Sequence, residues 1–129
     1  MHIVIAAPTL GELEDLVAHF PSLKPAGTHR WAGPWGAHKV ELLVTGVGMV
    51  NTAARLAPAL AVRPDFLLHI GIAGSYDVSL APGTAVEVVQ ECYGDLGAED
   101  AHGHLLDMQQ LGLPTMEQAG VQVYNELQN

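Results

Sequence analysis

Cationic side chains are scarce in this sequence. Five Lys and Arg stand against 14 Asp and Glu, a formal net charge of -9. A surface of that sign repels the phosphate backbone of nucleic acid and an anionic membrane face, so neither is expected as a partner. Cysteine is reduced to Cys92, which excludes an intrachain disulfide and every paired-cysteine metal or redox motif. A buried small hydrophobe is the use expected of it. Long apolar runs are also missing. The opening stretch Ile3 to Pro8 is too short for a signal-peptide core and has no basic flank, and nothing approaches the roughly 20 apolar residues of a membrane span. A cytoplasmic protein is expected. With no internal repeat or low-complexity tract, and with 49% hydrophobic and 15% charged residues, the composition is that of one soluble globular domain with one core.

His2 to Ala7 (HIVIAA) is a short β-branched run and reads as a buried strand that Pro8 ends. Thr9 and Glu12 have the spacing of a capping box, after which Leu10, Leu13, Leu16, Val17 and Phe20 share one helical face. Pro21, Pro25 and Gly27 mark a loop. Thr28 to Ala32 and His38 to Thr45 then read as a hairpin turned by Pro34, Trp35 and Gly36, with Trp31 and Trp35 packing in it rather than stacking on a base. From Gly46, GVGMVNTAARLAPALA reads as a glycine turn opening a helix that runs to Ala61 despite Pro58. Phe66 to Ile70 is the next strand, GIAGS a second glycine turn, and Thr84 to Gln90 an alternating strand. The polar stretch Glu91 to Pro114 reads as a long functional loop or crossover. Thr115, with Gln118 completing a second capping box, opens a last helix striped by Met116, Ala119, Val123 and Leu127. Alternating strands and helices predict an α/β fold: three αβα layers around a mostly parallel central sheet.

Glycine turns at the carboxyl ends of parallel strands are where open α/β sheets bind ligands, because backbone N–H groups can approach closely there. GVGMVN could be read as a dinucleotide turn with Asp65 downstream. Against that, Asn51 stands where the third glycine belongs, and the motif follows an internal strand rather than the first. Asp95, Glu99, Asp100, His102, His104 and Asp107 could hold a metal, but their spacing matches no ligand pattern and a solvated loop is expected instead. No metal and no cofactor are predicted. Glu12 has two uses, as the capping-box carboxylate or as a general base, and its place near a helix start keeps it ionised in either.

Four motifs in order, HIVIAAPTLGEL, TGVGMVNTA, DFLLHIGIAGS and YGDLGAED, resemble the nucleoside phosphorylase and nucleosidase superfamily over Met1 to about Leu113. The last, with HLLDMQQLGL, is similar to the futalosine hydrolase branch. The resemblance implies one nucleosidase-like α/β domain over residues 1–129 and N-glycosidic cleavage of a purine-type nucleoside. Futalosine or aminodeoxyfutalosine of menaquinone biosynthesis is the expected substrate. It assigns water activation to Glu12, a ribose-side contact to Thr9, the wall of the nucleophile pocket to Gly46 and Gly48, and contact with base and ribose to Ile72, Ala73 and Gly74. His69 stands where related bacterial phosphorylases carry a phosphate-binding arginine, and Arg30, Arg55 and Arg63 lie outside the matched turns. A phosphate site wants permanently charged, bidentate donors, so hydrolysis is expected over phosphorolysis. The alternatives are a methylthioadenosine/S-adenosylhomocysteine nucleosidase and a non-catalytic nucleoside-binding or scaffold module. Superfamily members are longer, and the methionine–glutamate ribose pair and the acidic aspartate of their second half have no match here; TMEQAG comes too early to be that pair. The fold is therefore expected to be incomplete, inactive by itself on futalosine, and paired in a homodimer or higher homo-oligomer.

Overall fold

The computed structural model describes residues 1–128. They form two compact units, Met1–Tyr76 and a second from Asp77 onward.

In the first unit the run HIVIAA forms β1 (His2–Ala7). A short helix, α1 (Glu14–His19), follows, then β2 (Lys24–Gly27), β3 (Arg30–Trp35) and β4 (His38–Val44), the 13-residue helix α2 (Met49–Ala61), and β5 (Phe66–His69). The sheet order is β2-β3-β4-β1-β5. β1 lies parallel to both β4 and β5, while β2, β3 and β4 run antiparallel, so the sheet is mixed with its parallel pairings at and beside β1. Side chains alternate between two faces, and both faces of β1 and β4 are covered. Ala7, Val40, Leu42 and Val44 meet Leu13, Phe20 and Leu23 on the α1 side. Ala6 and Leu43 meet Ala59, with Leu56 and Leu67, on the α2 side. This is the three-layer arrangement the strand–helix alternation predicts. Burying each such leucine or valine contributes about 1.5–3 kcal/mol.

Charge enters this core once. Glu41 of β4 is 1% exposed, and Arg30 of β3 grips it with Nε at 2.7 Å and Nη2 at 2.8 Å. His2 Nε2 lies 3.6 Å from the same carboxylate. Asp65, the residue a dinucleotide reading would need beside the glycine turn, instead accepts the His2 backbone N–H at 2.6 Å, at the opposite end of the strands.

The helix expected from Thr9 begins later. Leu10 and Leu13 close a tight turn, the helix proper starts at Glu14, and its N-cap Leu13 has no side-chain cap. Trp31 packs on the α1-side core, and Trp35 meets Phe20 edge-on at 5.1 Å.

The second unit departs further from expectation. The strand predicted over Thr84 to Gln90 begins only at Gln90: β6 (Gln90–Cys92) pairs antiparallel with β11 (Glu126–Gln128). Val86 and Val89 are exposed, so their alternation has no core to face. Within the expected loop, β7 (Gly97–Glu99) and β8 (Leu105–Asp107) form a hairpin. The predicted helix Thr115–Leu127 is replaced by a second hairpin, β9 (Met116–Gln118) and β10 (Val121–Val123). Ala119 and Gly120 both adopt left-handed φ, 52° and 79°, the signature of a two-residue hairpin turn. Thr115 spends its hydroxyl on the Val123 and Tyr124 carbonyls rather than on a helix start. The Gln118 side chain of the proposed capping box lies outside the described residues. Cys92 is exposed, not buried, because its strand has no apolar layer over it.

Candidate functional site

Three parallel strands end side by side, and the loops that follow them meet. The Thr45 N–H bonds the Ala7 carbonyl at 2.8 Å, the Gly46 N–H bonds the Pro8 carbonyl at 3.0 Å, and the Ile70 N–H bonds the Ala6 carbonyl at 2.8 Å. The loop after β1 is thereby flanked by the loops after β4 and β5.

Glu12 is where two of them join. Its Oε2 accepts the Thr9 hydroxyl at 2.7 Å and the Thr9 backbone N–H at 2.8 Å. Its Oε1 accepts the Ile72 N–H at 3.0 Å from the loop after β5. Half of the predicted capping box is therefore present: the glutamate reaches back to Thr9, but the threonine hydroxyl donates to the carboxylate instead of accepting from the helix. These bonds stabilise the charged form. The Thr9 hydroxyl, followed by the Ile72 N–H, holds the Glu12 carboxyl below the usual range; partial burial opposes them, and the Thr9 N–H and His69 add smaller downward effects.

The loop after β4 is shaped by glycine. Gly46 has φ 86°, and a Cβ there would come within 3.2 Å of the Asn51 Cβ. Asn51 donates to the Val47 carbonyl at 2.7 Å, tying the turn shut, and Gly48 forms the start of α2 with φ 92°. Of the residues singled out in the sequence, Thr9, Glu12 and Ile72 are in contact and Gly46 reaches them through Pro8. Gly48, Ala73, Gly74 and His69 are exposed, and the Ile72 side chain is 90% exposed. The Ile72 N–H is engaged by Glu12.

Gly71 was overlooked. A Cβ at this position would lie 3.1 Å from Glu12 Oε1 and 3.6 Å from Pro8 Cδ, so a side chain here would press on the carboxylate and shift it by a few tenths of an ångström. Its signal was available as the first glycine of GIAG. Thr45 was also missed; it is buried under the same loops, with its hydroxyl 3.3 Å from the Ala7 carbonyl.

The acidic stretch of the second unit has a local use. Asp100 accepts the His104 and His102 backbone N–H groups at 2.9 and 2.8 Å, which hold its carboxyl low, and pairs with His104 Nδ1 at 3.2 Å. A hollow of about 320 Å³ lined by Asp107, Gln109, Gln122, Val123, Tyr124, Asn125 and Glu126 includes none of Thr9, Glu12, Gly46, Gly71 and Ile72. Donors that converge on Glu12 from two loops, one of them 60 residues away, mark the candidate site better than concavity does.

The sequence matches the family described as the phosphorylase superfamily over residues 2–123. A search of curated proteins gives no match. Among solved structures, the fold is similar to the 5'-methylthioadenosine/S-adenosyl homocysteine nucleosidase of Campylobacter jejuni, with a TM-score of 0.65 and 17% identity over 96% of this chain and 52% of that one. It is also similar to the Streptococcus pneumoniae 5'-methylthioadenosine/S-adenosylhomocysteine nucleosidase with a transition-state inhibitor, with a TM-score of 0.61 and 26% identity over 96% and 51% of the two chains. The S. pneumoniae enzyme in complex with 8-aminoadenine gives 0.60 and 28% over 96% and 52%. The chain spans about half the length of these structures.

Proposed function

Because the chain belongs to the phosphorylase superfamily, we propose that it carries the water-activating side of an N-glycosidic hydrolase acting on a purine-type nucleoside. The observation that carries this reading is Glu12: an ionised carboxylate, tied to two loops at the carboxyl ends of parallel strands. In this role Glu12 takes a proton from water, the water oxygen bonds to the anomeric carbon, and the glycosidic electron pair leaves with the base. An acid outside the residues assigned here protonates that base. Water is favoured over phosphate because Arg30 is committed to Glu41 and a histidine, His69, rather than an arginine stands at the end of β5. The Gly46–Gly48 turn and the Ile72–Gly74 segment supply the walls for nucleophile and nucleoside.

Two substrates compete. YGDLGAED supports futalosine or aminodeoxyfutalosine, whereas similarity to methylthioadenosine/S-adenosylhomocysteine nucleosidases supports that pair. We further propose that both units belong to one nucleosidase-like domain, since the family match runs through both, and that the protein assembles as a homodimer or larger homo-oligomer. The test is chromatography of released base from each nucleoside with the product of the full gene. Hypoxanthine from futalosine supports the first substrate, and adenine from methylthioadenosine alone supports the second. Glu12→Gln should lower kcat by about 100- to 10,000-fold. Binding without release of any base would overturn the enzymatic reading.

A further inference from the structure

We propose that Thr9 is a positioning residue that occupies Glu12 Oε2 and so leaves Oε1, over Gly71, as the oxygen that takes the proton from water. The proposal rests on the nucleosidase reading for its chemistry, and on the following geometry for its choice of oxygen. A carboxylate offers about four lone-pair sites, two on each oxygen. Thr9 fills both on Oε2, with its hydroxyl at 2.7 Å and its N–H at 2.8 Å. The hydroxyl bond has the short length of a charge-assisted contact. Two donors from one residue also fix the plane of the carboxylate, which a single contact would leave free to turn.

Oε1 differs. Its described donor is the Ile72 N–H at 3.0 Å, so one lone pair remains for a water O–H. The space beside that lone pair is set by Gly71, where a side chain would begin 3.1 Å from Oε1. One free acceptor site and one missing side chain thus coincide on the same oxygen. To the ribose-side contact that the resemblance implies for Thr9, the proposal opposes a role exercised through Glu12. The chemistry balances as a proton transfer: water gives one proton to Oε1, and its oxygen bonds to the anomeric carbon as the base leaves with the glycosidic electrons.

Two measurements test this. In the 129-residue chain, labelled with ¹³C at glutamate carboxyls, the Glu12 titration midpoint should rise in Thr9→Val and return to the wild-type value in Thr9→Ser. In the product of the full gene, Thr9→Val should lower kcat on the order of 10- to 100-fold with little change in KM, as expected for a misplaced reacting group, and Thr9→Ser should restore it. Gly71→Ala, which fills the space beside Oε1, should lower kcat while leaving the Thr9 bonds to Oε2 in place. An unchanged Glu12 midpoint in Thr9→Val overturns the proposal. So does a raised KM with kcat intact, which would return Thr9 to the ribose. If the wild-type full product releases no base from any nucleoside, the nucleosidase reading fails separately, and the titration still decides whether Thr9 holds Glu12.

Discussion

The two units of this molecule are held by different forces. In the first, the buried apolar residues lie between Val4 and Ala59 and cover both faces of a five-stranded sheet. In the second, no described residue is fully buried, and the strands are three residues long and paired in twos. Its order comes from local polar bonds. Asn125 donates to the Tyr93 and Leu96 carbonyls at 2.9 Å each and accepts the Met108 N–H at 2.8 Å. Two-stranded pairs are marginal alone in water. The difference teaches where an apolar period has authority: it builds structure where there is a second layer to bury it, and fails where there is none.

The largest effect should come from emptying the first core. Leu42→Ala, at a position with no exposure and between α1 and the sheet, should cost about 2–5 kcal/mol in urea unfolding. The equivalent truncation in the second unit, Leu105→Ala at a 61% exposed position, should change stability by no more than about 0.5 kcal/mol. A comparable loss at both positions would break the comparison. Next comes charge. Arg30→Ala strands the buried Glu41 carboxylate and should cost about 3 kcal/mol, the low end for an interrupted buried pair because the arginine side chain is 42% exposed. Differential scanning calorimetry would show it as a lowered melting temperature, with Glu41→Gln in the Arg30→Ala background recovering part of the loss.

Asn125→Ala should act on the second unit, at about 1–3 kcal/mol for partners left unsatisfied. Hydrogen exchange should speed up at Met108 and around β6 and β11 while the amides of β1 and β4 stay protected. The smallest effect concerns acid. Glu12 is depressed from its ordinary 4.5, so the stabilisation it contributes is present above that value and is lost as pH falls through its lower folded-state value. Asp100 behaves likewise relative to 3.8. Unfolding curves of wild type and Glu12→Gln should therefore differ above pH 4.5 and converge on acidification; a gap that widens on acidification has the wrong sign for this arrangement.

Most of the first unit was legible because its residues obey one period at a time. HIVIAA and the β4 run read as short apolar strands because both their faces are covered, and Met49–Ala61 reads as a helix that turns Leu56 and Ala59 to the sheet. The last helix was not legible: Met116, Ala119, Val123 and Leu127 make a helical stripe on paper, yet Ala119–Gly120 turns the chain and Val121 and Val123 suit a strand. The β2 strand was hidden by Pro25 and Gly27, tolerated there because β2 is an edge. At the candidate site, the pairing of Thr9 with Glu12 could be read from a spacing of three. The bond from Ile72 to Glu12 could not, since the two lie 60 residues apart and meet only when β5 takes its place beside β1.

The Arg30–Glu41 pair also bears on the order in which the sheet assembles. A carboxylate sealed in a core without its counter-ion would raise the barrier to folding, so early arrival of the arginine favours assembly. Chain connectivity arranges this. β3 and β4 are joined by a short turn, and hairpins of that kind close on the order of 1–10 μs, bringing the guanidinium against the carboxylate while its other side is still wet. β1 must close a longer loop to reach β4, so its docking is expected to follow the hairpin's. On that order, neutralisation of Glu41 is expected as a local event and its desolvation as the distant one.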